Sequence, residues 1–336
     1  MSDVKARKER RSVIVLATGG TISSQGGAGQ AKPTAKASDL LNDIKPLPPK
    51  VEVVDVIDVK HVISPALSLA DMWDIVSAAE DLAASRTCDG IVITHGTATV
   101  IDTAFLAYLK WDTKVGLAFT GAMATANRVS RDGPRNLRDA ILAAASLELS
   151  GVGPMVVANN LIHSPRFVKK THKSAFDAFT SGQYGTFGFV DDDLVCVTGL
   201  IGAPPRLPGG APDDDAVQLI KAVPGMSELL LRAALDAGSK GIVVDCLPGR
   251  GGVPPKLHSG LMSAIRHGLP VVLSGEADGR IKGNYSGLEH AAYYLGNGAI
   301  SGGDLGPSRC RTLATHLLAG GADLVDIRKA FEEIAP

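Results

Sequence analysis

Val13-Ile14-Val15-Leu16-Ala17-Thr18-Gly19-Gly20-Thr21-Ile22 decides how this chain folds. Five apolar residues run without polar alternation, the pattern of a strand covered on both faces of a parallel sheet. The run breaks on Gly19 and Gly20, where a missing Cβ lets the backbone turn sharply and come close to another group. Thr21 then stands just past the carboxyl end of the strand, the edge at which open α/β sheets bind ligands. Two readings of Thr21 follow: a nucleophile facing a pocket, or a turn residue that caps the next element.

The same grammar recurs downstream. Gly90-Ile91-Val92-Ile93-Thr94 is a second buried run, ending in His95-Gly96-Thr97-Ala98-Thr99 before a helix that opens at Thr103. Val115 to Phe119 is a third, ending in Thr120-Gly121-Ala122-Met123. Met155 to Ile162 reads as a fourth, leading through His163 to Lys169-Lys170-Thr171-His172. Between them, Ser68 to Ser85 carries Met72, Ile75, Val76, Ala79 and Leu82 at helical spacing, and Arg138 to Ala145 is a further helix. Val51 to Val59 is a strand-like run with acidic interruptions that leads into His61 and Ser64. Strands alternating with helices describe an α/β fold: a large N-terminal doubly wound, mainly parallel sheet.

From Gly199 to Asp215 the composition turns to Pro204-Pro205, Pro208-Gly209-Gly210 and an acidic triplet, which is linker chemistry. The expected organisation is a basic arm at 1–12, a catalytic α/β domain at 13–200, a linker at 201–218 and a smaller C-terminal α/β domain at 219–336. In the last of these, helices are expected at Met226–Ala237 and Lys256–His267, strands at Gly241–Cys246 and Pro270–Leu273, and helix again from Ser308. Ser23 to Gln30, small and polar, has no hydrophobic periodicity and reads as a binding loop or lid behind Thr21.

Charge and cysteine usage narrow the function classes. Thirty-four Lys and Arg against 35 Asp and Glu leave a formal charge of −1, with basic residues concentrated only in the arm Lys5 to Arg11, so no nucleic-acid footprint is expected. No run approaches the roughly 18 apolar residues of a membrane span, and no apolar segment of signal-peptide type precedes the glycine turn. Cys88, Cys196, Cys246 and Cys310 are scattered without metal-ligand spacing, which points to a reduced cytoplasm and to no disulfide framework. His61, His95, His163 and His172 lie beside the strand exits, and a metal site built from them is the rival reading; without a ligand motif, no metal or cofactor is expected.

Taken together, Ala17-Thr18-Gly19-Gly20-Thr21-Ile22, Ile93-Thr94-His95-Gly96-Thr97, Gly121-Ala122-Met123, Asp132-Gly133-Pro134 with Asn136-Leu137, and Lys170-Thr171-His172 resemble the bacterial-type asparaginase and glutaminase family. Pro224-Gly225-Met226 and Gly238 to Val244 resemble its second domain, so the likeness covers most of the chain. It implies a two-step amide hydrolysis. Thr21 would attack the side-chain amide to form an acyl-enzyme, Thr97 and Lys170 would carry the proton transfers, and Gly20, Gly96 and Ala122 would line the substrate. A neutral Thr hydroxyl needs a partner to take its proton, and burial moves a Lys toward a useful pKa. Backbone N–H groups at a glycine turn would stabilise the oxyanion. The resemblance also implies a homodimer or homotetramer whose neighbour completes the site, with Tyr285 or Glu289 as candidates.

Three departures qualify the resemblance. The family's His-Gly-Thr-Asp-Thr has Ala98 in place of Asp, the residue that holds the substrate's α-ammonium and orients the paired Thr and Lys. Asp102, further along, reads as a helix N-cap rather than a substitute. The loop behind Thr21 has no Tyr to assist the nucleophile, leaving a Ser, Gln25 or Lys32 as replacements. Around the α-carboxylate subsite only His61 and Ser64 offer polar groups, beside Pro65 and Ala66. The hydrolytic residues stand while the amino-acid grip is altered. The expectation is an asparaginase-like amidohydrolase for a small substrate without a free α-ammonium, such as an N-substituted or cyclic amide, or a hydantoin- or thiohydantoin-like ring. An L-asparaginase or glutaminase releasing ammonia, and a non-catalytic binding or sensor protein, are the alternatives. Glu276, Asp278 and Arg280 follow a strand; Asp278 is assigned to solvent and the other two stay open.

Overall fold

In the computed structural model, residues 10–25, 32–33, 37–199, 206–281 and 285–335 are described. The amino-terminal arm up to Glu9, and the side chains of Gln25 and Lys32, lie outside the described part. The chain divides into two units, Met1–Arg206 and Leu207–Pro336.

The first unit is built on an eight-stranded sheet. Its strands are β1 (Arg11–Gly19), β4 (Val51–Val62), β5 (Gly90–Thr94), β6 (Gly116–Thr120), β7 (Pro154–Ala158), β8 (Leu161–His163), β11 (Gly188–Asp191) and β12 (Leu194–Val197). The short pairs β2 (Ser24–Gln25) with β3 (Lys32–Pro33), and β9 (Lys169–Lys170) with β10 (Phe179–Thr180), stand apart from it. The order across the sheet is β12-β11-β8-β7-β6-β5-β1-β4, with β4, β1, β5, β6 and β7 mutually parallel.

β1 shows why its sequence lacks alternation. Val13 and Val15 pack on one face with Leu137, Ala140, Ile141 and Ala144 of the helix Gly133–Ala145. Ile14 and Leu16 pack on the other with Ile75, Val76 and Ala79 of Leu69–Ser85, and with Ala104 and Ala107 of Val100–Lys110. Both faces are dry, and each buried Ile, Leu or Val contributes about 1.5–3 kcal/mol relative to exposure. This is the doubly wound arrangement.

Three local expectations are corrected. Met155 to Ile162 is not one strand but the hairpin β7–β8, reversing at Asn159 and Asn160, whose φ values of 49° and 59° suit a two-residue turn with both centres left-handed. Asp102 is not an N-cap. The helix starts at Val100, its N-cap is Thr99, and Asp102 lies in the first turn, where a carboxylate is favoured by the positive end of the helix dipole. The helix expected from Arg138 begins at Gly133, with Pro134 in its first turn, where a missing N–H costs nothing.

The second unit carries a parallel four-stranded sheet, β13 (Val217–Lys221), β14 (Gly241–Asp245), β15 (Val271–Ser274) and β16 (Ile300–Ser301), in that order. Leu231, Leu261 and Tyr294 from three helices pack with Ile242, Val244 and Leu273. Glu276, Asp278 and Arg280 line a cavity of about 560 Å³ beyond the ends of its strands. Asp278 is exposed, as expected, at the rim of this cavity. Tyr285 stacks on His290 at 4.7 Å.

Candidate active site

Three strands of the first unit end in step. Ala17 pairs with Thr94 and Thr94 with Thr120, so β1, β5 and β6 deliver their exits to one edge. Thr18 Oγ1 donates to the Thr94 carbonyl at 2.9 Å, clasping the first two. Gly20 has φ 82°, and a Cβ on it would sit 2.6 Å from both Cα and N of Gly96. The turn after β1 therefore rests directly on the turn after β5, with Thr21 and Thr97 the next residue on each. A Cβ on Gly96 would in turn fall 2.4 Å from Ser64 Oγ, and one on Gly121 would fall 3.1 Å from Thr97 Cγ2. Gly20, Ser64, Gly96, Thr97 and the Gly121-Ala122 pair are thus drawn into one cluster.

Thr21 does not cap. It is the first residue of a 3-10 turn, Thr21–Ser23, whose N-cap is Gly20. Ser23 Oγ and Ser24 Oγ both donate to the Gly20 carbonyl, at 3.1 and 2.7 Å, which stiffens the turn. Thr21 is half-buried, and among the described residues its hydroxyl makes no hydrogen bond. The Gly20 N–H is not available to an oxyanion, because it donates to the Val62 carbonyl at 3.2 Å.

Lys170 ends β9, opposite Phe179 of β10. Its Nζ donates to Thr97 Oγ1 at 2.8 Å and lies 5.9 Å from the Phe179 ring centroid. Burial without a carboxylate pushes its pKa below the ordinary lysine value. Among the described residues it has no ion-pair partner. At position 98 the chain presents an exposed methyl group.

Asp132 and Asn136 hold the third exit, a role that their place in the motif alone did not reveal. Asp132 accepts from the backbone N–H of Met123 and Ala124 at 2.8 and 2.9 Å. Asn136 donates to the Gly121 carbonyl at 2.9 Å and accepts from Asn159 N at 2.9 Å. The readable signal was an acid and an amide four residues apart at a helix start, and so on one face.

The histidines do not converge. His95 is fully buried between the Gly96 carbonyl, 2.9 Å from Nδ1, and Thr103 Oγ1, 3.0 Å from Nε2. A carbonyl only accepts, so Nδ1 carries the proton and Nε2 accepts from Thr103. Burial lowers its pKa to about 4, and it stays neutral as a strut of the glycine turn. His163 is buried against Ser181, its pKa likewise lowered by burial to about 4. His172 is an exposed turn residue whose Nδ1 accepts from the backbone N–H of Ser174 and Ala175. His61 is half exposed on β4, with Nε2 3.6 Å from Asp58. Among the described residues no three His, Cys, Asp or Glu side chains stand together as a metal site, and no helix is long and apolar enough to cross a membrane.

Residues 12–199 match the family "Asparaginase, N-terminal" and residues 216–331 match "Glutaminase/Asparaginase C-terminal domain". An L-asparaginase of Bacillus licheniformis is 28% identical, the match covering 92% of this chain and 96% of that protein. A probable L-asparaginase of Deinococcus radiodurans is 31% identical, covering 96% and 97%. The crystal structure of a probable cytoplasmic L-asparaginase from Campylobacter jejuni superimposes with a TM-score of 0.85 at 25% identity, covering 96% of this chain and all of that one. This chain therefore belongs to the asparaginase family, as an amidohydrolase acting on carbon–nitrogen bonds other than peptide bonds.

Proposed function

We propose that Thr21 is the nucleophile and that the preferred substrate is an amide without a free α-ammonium. The observation that carries this reading is the contrast within one cluster: Lys170 stands 2.8 Å from Thr97, while position 98 offers a methyl group where an ammonium would need a counter-charge. An ammonium that loses a charge-assisted contact there forfeits about 1.5–3 kcal/mol. That equals roughly one to two decades of affinity. A substrate acylated at that nitrogen, or closed into an imide, hydantoin or thiohydantoin ring, loses nothing there.

In the first step Thr21 Oγ1 bonds to the amide carbon, and the carbonyl electron pair moves to oxygen. The Thr21 proton passes through Thr97 to the neutral amine of Lys170. We assign the backbone N–H groups of Thr21 and Thr97 as oxyanion donors, since neither engages an acceptor among the described residues. Collapse breaks the C–N bond, and the Lys170 proton leaves with the nitrogen. Water then attacks the ester, the same amine takes the water's proton and returns it through Thr97 to Thr21 Oγ1 as the bond from carbon to that oxygen breaks and the acid is released. Ser64 and His61 are assigned to the substrate's carboxylate side, and Gly20, Gly96 and Ala122 to its walls. We place the enzyme in the cytoplasm, in keeping with four unpaired cysteines, and as a homodimer or homotetramer.

Hydrolysis of free L-asparagine is the second reading, favoured by what the Bacillus and Deinococcus relatives are called. Comparing kcat/KM for L-asparagine with that for N-acetyl-asparagine and a cyclic ureide separates the two. The substituted amides are expected to be better by roughly ten- to a hundredfold. Ala98→Asp is expected to raise kcat/KM for free asparagine by a similar factor, by restoring the counter-charge. Efficient turnover of free asparagine by the unaltered enzyme would reject the proposal.

A further inference from the structure

Two adjoining cavities lie in the first unit beside the cluster, at the carboxyl edge of the sheet. One, of about 420 Å³, is lined in part by Arg135, Asn136 and Asn160, and the other, of about 460 Å³, by Met123, Arg128 and Ser174. Ser130 and Phe176 line both, so the two form one groove. The loop that lines it packs beside the turn carrying Thr21: Ala126 N donates to the Ser24 carbonyl at 3.1 Å, and a Cβ on Gly133 would fall 3.0 Å from Ile22 and 3.3 Å from Ala122. Met123 follows Ala122 directly, and Ser174 lies four residues beyond Lys170. An asparagine-sized substrate has no use for a space of this size; a substituted one does.

The groove has a definite polarity. Arg135 is spoken for, since both Asp139 oxygens lie within 3.2 Å of its Nε and Asp139 is wholly buried. Arg131 donates to Asp43 and to the Ala126 carbonyl. Arg128 alone of the three makes no ion pair among the described residues. It is nonetheless presented by an ordered turn: its N–H donates to the Thr125 carbonyl at 3.0 Å, and Arg131 and Asp132 tie down the loop on both sides. Asp132 adds no free carboxylate to the groove floor, because its oxygens accept from Met123, Ala124 and Asn136. Phe176, 43% exposed, supplies an apolar wall across from it.

We infer that this groove receives the substituent of the substrate and that Arg128 selects one bearing a single carboxylate, such as a dicarboxylic acyl group on the substrate nitrogen. One uncommitted guanidinium matches one negative charge, through a bidentate contact to a planar carboxylate. The apolar stem of such an acyl chain lies against Phe176. The pre-set loop limits the ordering cost of binding. This inference rests on the substrate reading above and extends it to the class of substituent.

The test pairs N-succinyl-asparagine with N-acetyl-asparagine, which share the scissile amide and differ by one methylene and its terminal carboxylate. The unaltered enzyme is expected to favour the succinyl compound in kcat/KM by roughly tenfold or more, the size of one hydrogen bond between charged groups. That preference is expected to shrink with added salt. Arg128→Gln should cut kcat/KM for the succinyl compound about tenfold more than for the acetyl one, Arg128→Glu should reverse the preference, and Arg128→Lys should restore part of it. Calorimetric binding of N-succinyl- and N-acetyl-aspartate, the products, must show the same ordering, which keeps the inference testable without turnover. Equal values for the two compounds in kinetics and in binding would overturn the groove's role and leave the substrate reading standing. Turnover of free asparagine far above both substituted amides would overturn the substrate reading and this inference with it.

Discussion

Thr21→Ala is expected to leave a folded protein whose amide hydrolysis is reduced roughly 10⁴-fold or more, the scale on which loss of a nucleophile is felt when it acts as one unit with its base. The side chain is half-buried and bonded to nothing among the described residues, while the turn around it is held by Ser23 and Ser24. Circular dichroism and thermal melting should therefore match the parent. Ligand binding should persist, because the walls are assigned to Gly20, Gly96 and Ala122. Ammonia or amine release, followed over hours at high enzyme concentration, is the check. Retention of activity within tenfold would place the nucleophile elsewhere. A protein that binds and never turned over, the sensor reading, would show no difference between Thr21→Ala and its parent.

Lys170→Met carries the second large effect, a fall in kcat of roughly 10²–10⁴. Methionine keeps most of the apolar stem beside Phe179 and drops only the amine, so packing changes little. The pH profile distinguishes a base from a strut. A base works only when unprotonated, so kcat/KM of the unaltered enzyme rises with pH through the lowered pKa of Lys170 and levels off above it. In Lys170→Met that limb should disappear and the profile flatten. Ala98→Asp should move the limb the other way: a new carboxylate favours the ammonium, raises the Lys170 pKa and shifts the rise to higher pH. A limb unmoved in both variants would assign the titration to another group.

Much of the architecture was readable because it rests on burial. Val13 to Leu16 is apolar at every position for the physical reason that helices cover both faces, and the same holds for Ile91 to Ile93. What failed was local. Asn159 and Asn160 sit inside an apolar run and turn it back on itself, a reversal that periodicity overlooks and that the pair's tolerance of positive φ explains. Asp102 is a capping residue type, but Thr99 was nearer the true start. At the site, the glycine turns marked where Thr21 and Thr97 leave their strands. The contact between Lys170 and Thr97 joins residues 73 apart, and no spacing rule encodes it; only the resemblance did. Arg128 could not be singled out among its neighbours, because its freedom depends on Asp43 and Asp139 having engaged Arg131 and Arg135.

The central claim is that the oxygen of Thr21 becomes covalently acylated. Rapid mixing of the enzyme with N-acetyl-asparagine, acid quench within the first turnover and peptide mapping by mass spectrometry read this directly. The account predicts an N-acetyl-aspartyl adduct on the peptide containing Thr21, absent from Thr21→Ala. An adduct mapped to Thr97, or burst-free turnover with an unmodified Thr21 peptide in water labelled with heavy oxygen, would contradict it.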